Sequence, residues 1–178
     1  MQFEADIIIF LQSALKNYIW FFKIITQLGS VIGVLIFGII FFIKDKKYSV
    51  FYILLSGVCA GLNFLVKFFT NRQRPYIIYP QIYNYLSALG SSMPSSHTII
   101  ITLAVIFLIY FANKYFKKNL PYVIVTGIAL EVFVIISRMV LGQHYLTDCL
   151  VGLIVGVIIS VLSLLVYNKK IKFINFKK

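Results

Sequence analysis

Residues 144–167 read HYLTDCLVGLIVGVIISVLSLLVY, and this stretch indicates the fold class. Asp148 is its one acidic residue, and no lysine or arginine interrupts it. A helix needs about 20 predominantly apolar residues to cross a hydrocarbon core that is about 30 Å thick. The stretch therefore predicts a transmembrane helix.

Four apolar stretches precede it and predict four more spans. The predicted spans cover residues 18–43, 48–70, 95–112, 121–140 and 144–167. The composition agrees, because 61% of the residues are hydrophobic and 12% are charged, whereas a soluble domain has about 25% charged residues. No Pro/Gly/Ser-rich linker or internal repeat divides the chain. We therefore predict an all-α integral membrane helix bundle that forms a single membrane-embedded domain over residues 1–178.

The residues before the first span have another pattern. Apolar side chains recur there at helical spacing, with polar ones off the stripe: Phe3, Ile7, Phe10, Leu11, Ala14 and Leu15. This pattern predicts a short amphipathic helix that lies in the membrane interface. Glu4 and Asp6 stand where a cleavable signal peptide would be basic, so we expect no such peptide.

The formal net charge of +12 could suggest a nucleic-acid partner. Most of the lysines, however, follow the first, third or fifth span: Lys44, Lys46, Lys47, Lys114, Lys117, Lys118, Lys169, Lys170, Lys172, Lys177 and Lys178. Lysine beside apolar spans is the pattern of membrane topology, and the lysine-rich side is cytoplasmic. We therefore predict no nucleic-acid partner and a cytoplasmic C-terminus.

The opposite side carries the residues that are rare in this chain. It receives the end of the second span, the start of the third, and the junction of the fourth and fifth. Both histidines and all three arginines lie there, with a lysine and an aspartate nearby: Lys67, Arg72, Arg74, His97, Arg138, His144 and Asp148. Ionisable groups at membrane depth are costly and mark functional sites. The cluster therefore predicts where the site lies.

The spacing of these residues suits phosphate. Lys67 and Arg74 are two helical turns apart and share a face while the segment stays helical. Pro75 disfavours helix at Arg74, so the chain is expected to turn there toward the connection. Residues 94–97, Pro-Ser-Ser-His, read as a turn that opens a helix, where N–H groups and hydroxyls can bind an anion. His144 and Asp148 are four residues apart, so the carboxylate can hold the imidazole in one tautomer. Guanidinium groups match phosphate oxygens two at a time.

These groups together predict phosphoryl transfer. A neutral His144 backed by Asp148 could attack phosphorus and form a phosphohistidine. A protonated His97 could give its proton to the leaving lipid oxygen. The cations would stabilise charge on the equatorial oxygens. Two histidines and a carboxylate can also bind a metal, but the neighbouring cations would repel it, so we expect no metal and no cofactor.

Three motifs in chain order carry a family resemblance. They are Lys67-(six residues)-Arg74-Pro75, Pro94-Ser95-Ser96-His97, and Ser137-Arg138-(five residues)-His144-(three residues)-Asp148. This pattern resembles the tripartite signature of the type 2 phosphatidic acid phosphatase superfamily, which also includes vanadium haloperoxidases. The five-span layout resembles the bacterial membrane members.

The resemblance implies a role for each motif residue. It implies phosphate binding by Lys67, Arg74, Ser95, Ser96 and Arg138, and catalysis by His144 as nucleophile, Asp148 as its partner and His97 as general acid. It also implies that no metal is required. The family often has glycine where Ser96 stands. The backbone N–H is retained here, and the side chain is expected to change how closely phosphate approaches.

The implied function is that of a lipid phosphatase in a bacterial inner membrane, with its active site on the periplasmic or extracellular side. The implied substrates are undecaprenyl diphosphate, phosphatidylglycerol phosphate, phosphatidic acid and lipid A phosphates, and the small size favours the first. A lipid phosphotransferase would use the same residues and stays open. A non-catalytic lipid-binding or transport protein would not need the two histidines and the aspartate. The haloperoxidases are soluble, unlike this chain.

Two charged residues stand outside the motifs. Arg72 lies two residues before Arg74 and can serve the site or anchor a lipid headgroup. Glu131 lies seven residues before Arg138, on the face toward the site. We expect it to form an ion pair or hydrogen bond with an inward-facing group, and Lys67 is one conceivable partner.

Overall fold

The computed structural model describes residues 2–88 and 90–175, with side chains as far as Lys169. Its α-helices are α1 (Gln2–Leu15), α2 (Ile19–Ile25), α3 (Val31–Phe42), α4 (Lys46–Thr70), α5 (Pro75–Ile78), α6 (Ser96–Tyr115), α7 (Leu120–Val140) and α8 (Leu146–Asn175). Short 3-10 turns cover Lys16–Tyr18, Thr26–Gly29 and Lys117–Asn119. No strand occurs in these residues. The tail lysines 177 and 178 lie outside the described residues, as do the side chains of Lys170 and Lys172.

The predicted helical membrane bundle is confirmed. Within the described part of the chain, five helical segments are long and apolar enough to cross a membrane: Gln2–Gly29, Lys46–Ile78, Ser96–Tyr115, Lys117–Val140 and Leu146–Lys169. The last four match the predicted second to fifth spans. The protein is thus a multi-pass membrane protein.

The first predicted span is not one continuous helix. Ser30 is extended, with φ −110° and ψ −173°, and its hydroxyl accepts a hydrogen bond from the N–H of Ile32 at 3.2 Å. Serine favours this N-cap position because its oxygen satisfies an N–H that the helix leaves unpaired. The apolar run at 18–43 is therefore divided into α2 and α3. With 12 residues, α3 is about 18 Å long, which is shorter than a hydrocarbon core.

Helix α1 lies along one end of the bundle. Near its start, Glu4 accepts a hydrogen bond from the N–H of Thr147 at 2.9 Å. Two turns later, the Gln12 amide donates to the carbonyls of Tyr83 and Val140, at 2.8 and 3.0 Å. Thr147, Tyr83 and Val140 all belong to the junctions at this end. Helix α1 is thus tied to the junctions at this end of the bundle, and its interfacial position stays a prediction, since it belongs to the candidate span Gln2–Gly29.

Helix α6 is the centre of the bundle and packs against α3, α4, α7 and α8. Glycines let α8 approach it closely: a Cβ on Gly152 would lie 2.9 Å from the Ser95 carbonyl, and one on Gly156 would lie 2.7 Å from Thr102 Cβ. The other glycine pair, Gly57 and Gly61 of α4, faces open space. The close packing of α6 and α8 brings their N-termini together.

Candidate active site

The chain turns sharply where the spans meet. Helix α4 ends at Thr70 because Asn71 adopts the left-handed conformation, with φ 41°, which asparagine tolerates better than most residues. Gly142, with φ +74°, joins α7 to α8, and a Cβ there would lie 2.3 Å from the Tyr83 carbonyl. Only glycine fits such a turn. These turns bring the three motifs to one end of the bundle.

His144 and Asp148 face each other, as their spacing predicts. His144 Nδ1 lies 3.5 Å from Asp148 Oδ2, and the two side chains are 3% and 0% exposed. The contact is too loose to count as a hydrogen bond, and His144 Nδ1 has no hydrogen-bond partner among the described residues. Such contacts are often long before substrate binds. The carboxylate is nevertheless placed to orient the ring.

The surroundings of His144 favour its neutral form. Burial lowers the pKa of this imidazole well below its usual range, and the positive charges of Arg138, Lys67 and Arg74 lower it further. A nucleophilic imidazole must be unprotonated. The site therefore keeps His144 in the form that can attack phosphorus.

The three motif cations are held by oxygens of the protein. Lys67 Nζ donates to the Ser91 carbonyl at 2.7 Å. Arg74 Nε donates to the Gly90 carbonyl and Nη1 to the Gln143 carbonyl, each at 3.1 Å. The Arg74 side chain comes from the extended segment after α4, and not from the same helical face as Lys67. The helix ends four residues before Arg74, but the two side chains still converge at the Ser91 carbonyl.

Arg138 is the most deeply placed of these cations. It is 3% exposed, and its Nη1 donates to Thr26 Oγ1 at 2.7 Å. Its Nε is buried without a hydrogen-bond partner among the described residues. The sequence offered no signal for Thr26, because it lies inside the apolar run of the first predicted span.

The serine motif opens α6 as predicted. Ser95 is the N-cap, and its own N–H donates to the Asp148 carbonyl at 3.1 Å. The Ser96 hydroxyl accepts a hydrogen bond from the Asn63 amide of α4. The Ser96 side chain is therefore turned toward α4 and held there.

His97 lies in the first turn of α6 and interacts electrostatically with His144, Arg138, Lys67 and Arg74. Its backbone packs against Gly29, where a Cβ would lie 2.6 Å from the His97 carbonyl oxygen. All eight candidate residues thus belong to one cluster. Within the described residues, no group of three or more His, Cys, Asp or Glu side chains is arranged to hold a metal ion.

Two residues outside the motifs have partners that the sequence did not indicate. Glu131 accepts a hydrogen bond from the buried Thr102 Oγ1 at 2.5 Å, which confirms the expected bond to an inward-facing group. Lys67 binds Ser91 and is not that partner. Arg72 donates to Asp148 Oδ1 at 2.6 Å. Its position two residues from Arg74 was the available signal that it serves the site.

Two openings lie beside the cluster. A cavity of about 480 Å³ is lined by Phe64, Lys67, Phe68, Asn71, Gly90 and Ser91. An apolar groove of about 390 Å³ lies between α4, α6 and α8. Asn63 lines the groove and also binds Ser96, so the groove reaches the serine motif.

The comparisons with known proteins bear on the family and the fold. The family model described as the PAP2 superfamily matches residues 45–172, which is more than half of the chain. Among curated protein sequences, none matches significantly.

Two crystal structures share the fold. A transmembrane PAP2-type phosphatidylglycerolphosphate phosphatase from Bacillus subtilis is 23% identical, with a TM-score of 0.74 over 92% of this chain and 86% of that chain. LpxE from Aquifex aeolicus is 22% identical, with a TM-score of 0.75 over 89% of this chain and 93% of that chain.

Proposed function

Because this chain belongs to the PAP2 superfamily, we propose that it is an integral membrane lipid phosphatase whose active site is the cluster around His144. The observation that carries the proposal is a buried imidazole, kept neutral, that faces a buried carboxylate. Three cations that interact with it surround this pair. A histidine in that setting is suited to attack a phosphate and is poorly suited to a purely structural role.

In the proposed reaction, His144 Nε2 attacks the phosphorus atom while Asp148 faces Nδ1 on the other side of the ring. The N–P bond forms as the bond from phosphorus to the lipid oxygen breaks. His97 gives its proton to that leaving oxygen. A water molecule then attacks the phosphohistidine, His97 takes the proton from it, and phosphate leaves.

The cations stabilise the negative charge on the equatorial phosphate oxygens, which is usually the largest contribution to such catalysis. The buried Arg138 Nε, without a protein partner among the described residues, is a donor ready for one of these oxygens. Lys67 Nζ uses one N–H for the Ser91 carbonyl, so its other N–H groups remain for substrate. Ser95 and the backbone N–H of Ser96 complete the proposed phosphate site at the start of α6.

The substrate is proposed to be a lipid because the groove beside the motif is apolar. Its lining includes Leu62, Phe69, Ile99, Val155 and Ile159. A hydrocarbon chain in this groove would bring its phosphate toward Ser96. Undecaprenyl diphosphate, phosphatidylglycerol phosphate, phosphatidic acid and lipid A phosphates all have this combination of groups.

The protein is proposed to lie in a bacterial inner membrane with the site facing the periplasm or the exterior. The lysines at the other end of the bundle support this orientation, because lysine-rich ends stay in the cytoplasm. At that end, the Asp45 carboxylate accepts hydrogen bonds from Lys114 and Tyr115.

Phosphate release tests the function. Detergent-purified protein would be assayed with the four lipid classes, in the presence of EDTA, beside His144→Ala. We expect release that survives EDTA and disappears in the variant. A folded wild-type protein that releases no phosphate from any of these lipids would contradict the proposal. Phosphate that appears only on an added acceptor lipid would instead identify a phosphotransferase.

A further inference from the structure

Arg72, which lies outside the three motifs, binds the carboxylate that faces His144. Its Nη1 donates to Asp148 Oδ1 at 2.6 Å. The other carboxylate oxygen, Oδ2, accepts the Tyr145 N–H at 2.9 Å and faces His144 Nδ1 at 3.5 Å. Asp148 is thus held at both oxygens, and Arg72 supplies the charged partner on the side away from the imidazole.

The Arg72 guanidinium is occupied by protein groups. Nη1 also donates to Thr147 Oγ1 at 2.7 Å, and Nη2 donates to Glu4 Oε2 at 3.2 Å. One face of the guanidinium lies 4.3 Å from the centre of the Tyr145 ring. A substrate phosphate that binds Nη1 would have to displace Asp148 and Thr147. The geometry therefore favours an orienting role over a substrate-binding role.

Glu4 links the N-terminal helix to this arrangement. Its Oε2 accepts the hydrogen bond from Arg72, and its Oε1 accepts those from the Thr147 N–H and Oγ1 at 2.9 and 2.8 Å. It therefore satisfies an N–H in the first turn of α8, the turn that carries Asp148. The Glu4 and Arg72 side chains are 14% and 19% exposed, so water screens their ion pair only in part.

We propose that Arg72 is a positioning residue for the reaction: anchored by Glu4 of α1, it holds the Asp148 carboxylate in the orientation that aligns His144. This inference rests on the proposed function, because it concerns the same nucleophile. It gives the N-terminal helix a role in catalysis, since α1 supplies the anchoring carboxylate. A residue that only orients another should change kcat more than KM.

The test compares kcat and KM of purified variants with the panel lipid that the wild-type protein hydrolyses fastest. Arg72→Met should lower kcat roughly 10- to 100-fold, by analogy with the loss of residues that orient metal-binding side chains, while KM stays within about twofold. Arg72→Lys should recover part of kcat, because an ammonium can still donate to Asp148. Glu4→Gln should lower kcat less than Arg72→Met does, since the bond from Arg72 to Asp148 remains.

Asp6→Asn is the matched control, because Asp6 is an acid on the same helix whose side chain accepts a hydrogen bond from Gln2. It should leave kcat unchanged. Thermal unfolding of each variant reports folding, and Glu4→Gln keeps the inference testable if Arg72→Met does not fold.

Several results would overturn the inference. A higher KM with unchanged kcat in Arg72→Met would make Arg72 a substrate ligand. A Glu4→Gln kcat equal to that of Asp6→Asn would remove the anchoring role. An unchanged kcat in Arg72→Met, beside an active wild type and an inactive His144→Ala, would contradict this inference alone. An inactive wild-type protein would contradict the proposed function as well.

Discussion

At the scale of single residues, His144 owes its chemistry to its surroundings. The ring is buried, its Nδ1 faces a carboxylate, and three cations add positive charge around it. Burial and like charge both disfavour the imidazolium form, and a hydrogen bond to the Ser92 backbone offsets them only in part. The pairing of His144 with Asp148 and the presence of the cations at the same end of the bundle could be predicted from the sequence. Arg72 and Thr26 could not be assigned to Asp148 and Arg138, because those contacts join segments that are far apart in the chain.

The lowered pKa of His144 predicts how stability depends on pH. Below pH 6.5 or so the unfolded chain takes up a proton on this ring, while the folded protein keeps it neutral. Stability is therefore lost as the pH falls, by up to about 1.4 kcal/mol per pH unit from this group. As the pH is lowered from 8 to 5, the melting temperature should fall less steeply in His144→Gln than in the wild type. Parallel curves for the two proteins would contradict the assignment.

At the scale of helices, apolar length alone did not predict the break in the first span. Ser30 divides it because its hydroxyl caps α3, and one serine in a long apolar run is a weak signal. The glycine pairs are a second case. Both have the same spacing in the sequence, but Gly152 and Gly156 lie at a helix contact and Gly57 and Gly61 do not. Which face of a helix meets a neighbour depends on the assembled bundle.

This difference between the glycine pairs predicts opposite effects of alanine. Gly156→Ala should destabilise the protein, because its Cβ would overlap Thr102 and overpacking typically costs about 1–3 kcal/mol. Gly61→Ala should be neutral or stabilising by up to about 1 kcal/mol, the gain in helix propensity. Thermal unfolding in the same detergent measures both. Equal shifts in the two variants would show that α6 and α8 do not pack as described.

At the scale of the molecule, the two ends of the bundle differ in chemistry. One end carries the histidines and arginines, and the other carries the lysines and the aromatic cluster around Tyr48, Phe41 and Phe111. The helical class and the last four spans followed from hydropathy alone, whereas the first predicted span did not match a single helix. The convergence of the motifs required the close packing of α6 and α8, which hydropathy does not specify.

The asymmetry predicts which positions face each side of the membrane. Tyr83, 70% exposed, lies at the end that carries the site, and the exposed Lys117 lies at the other. In intact cells, a membrane-impermeant maleimide should label Tyr83→Cys and should label Lys117→Cys only after the cells are opened. The native Cys59 and Cys149 are buried and serve as the unlabelled background. The reverse pattern would place the site in the cytoplasm.

If His144 is the nucleophile, a phosphohistidine forms during turnover and can be trapped. Purified protein would be mixed with the lipid phosphate it hydrolyses fastest, quenched in alkali during turnover, and digested for mass spectrometry. We expect a phosphoryl group on the imidazole of His144 in the wild-type protein and none in His144→Ala. Sustained turnover with a phosphoryl group on another residue, or with none on His144, would contradict this expectation.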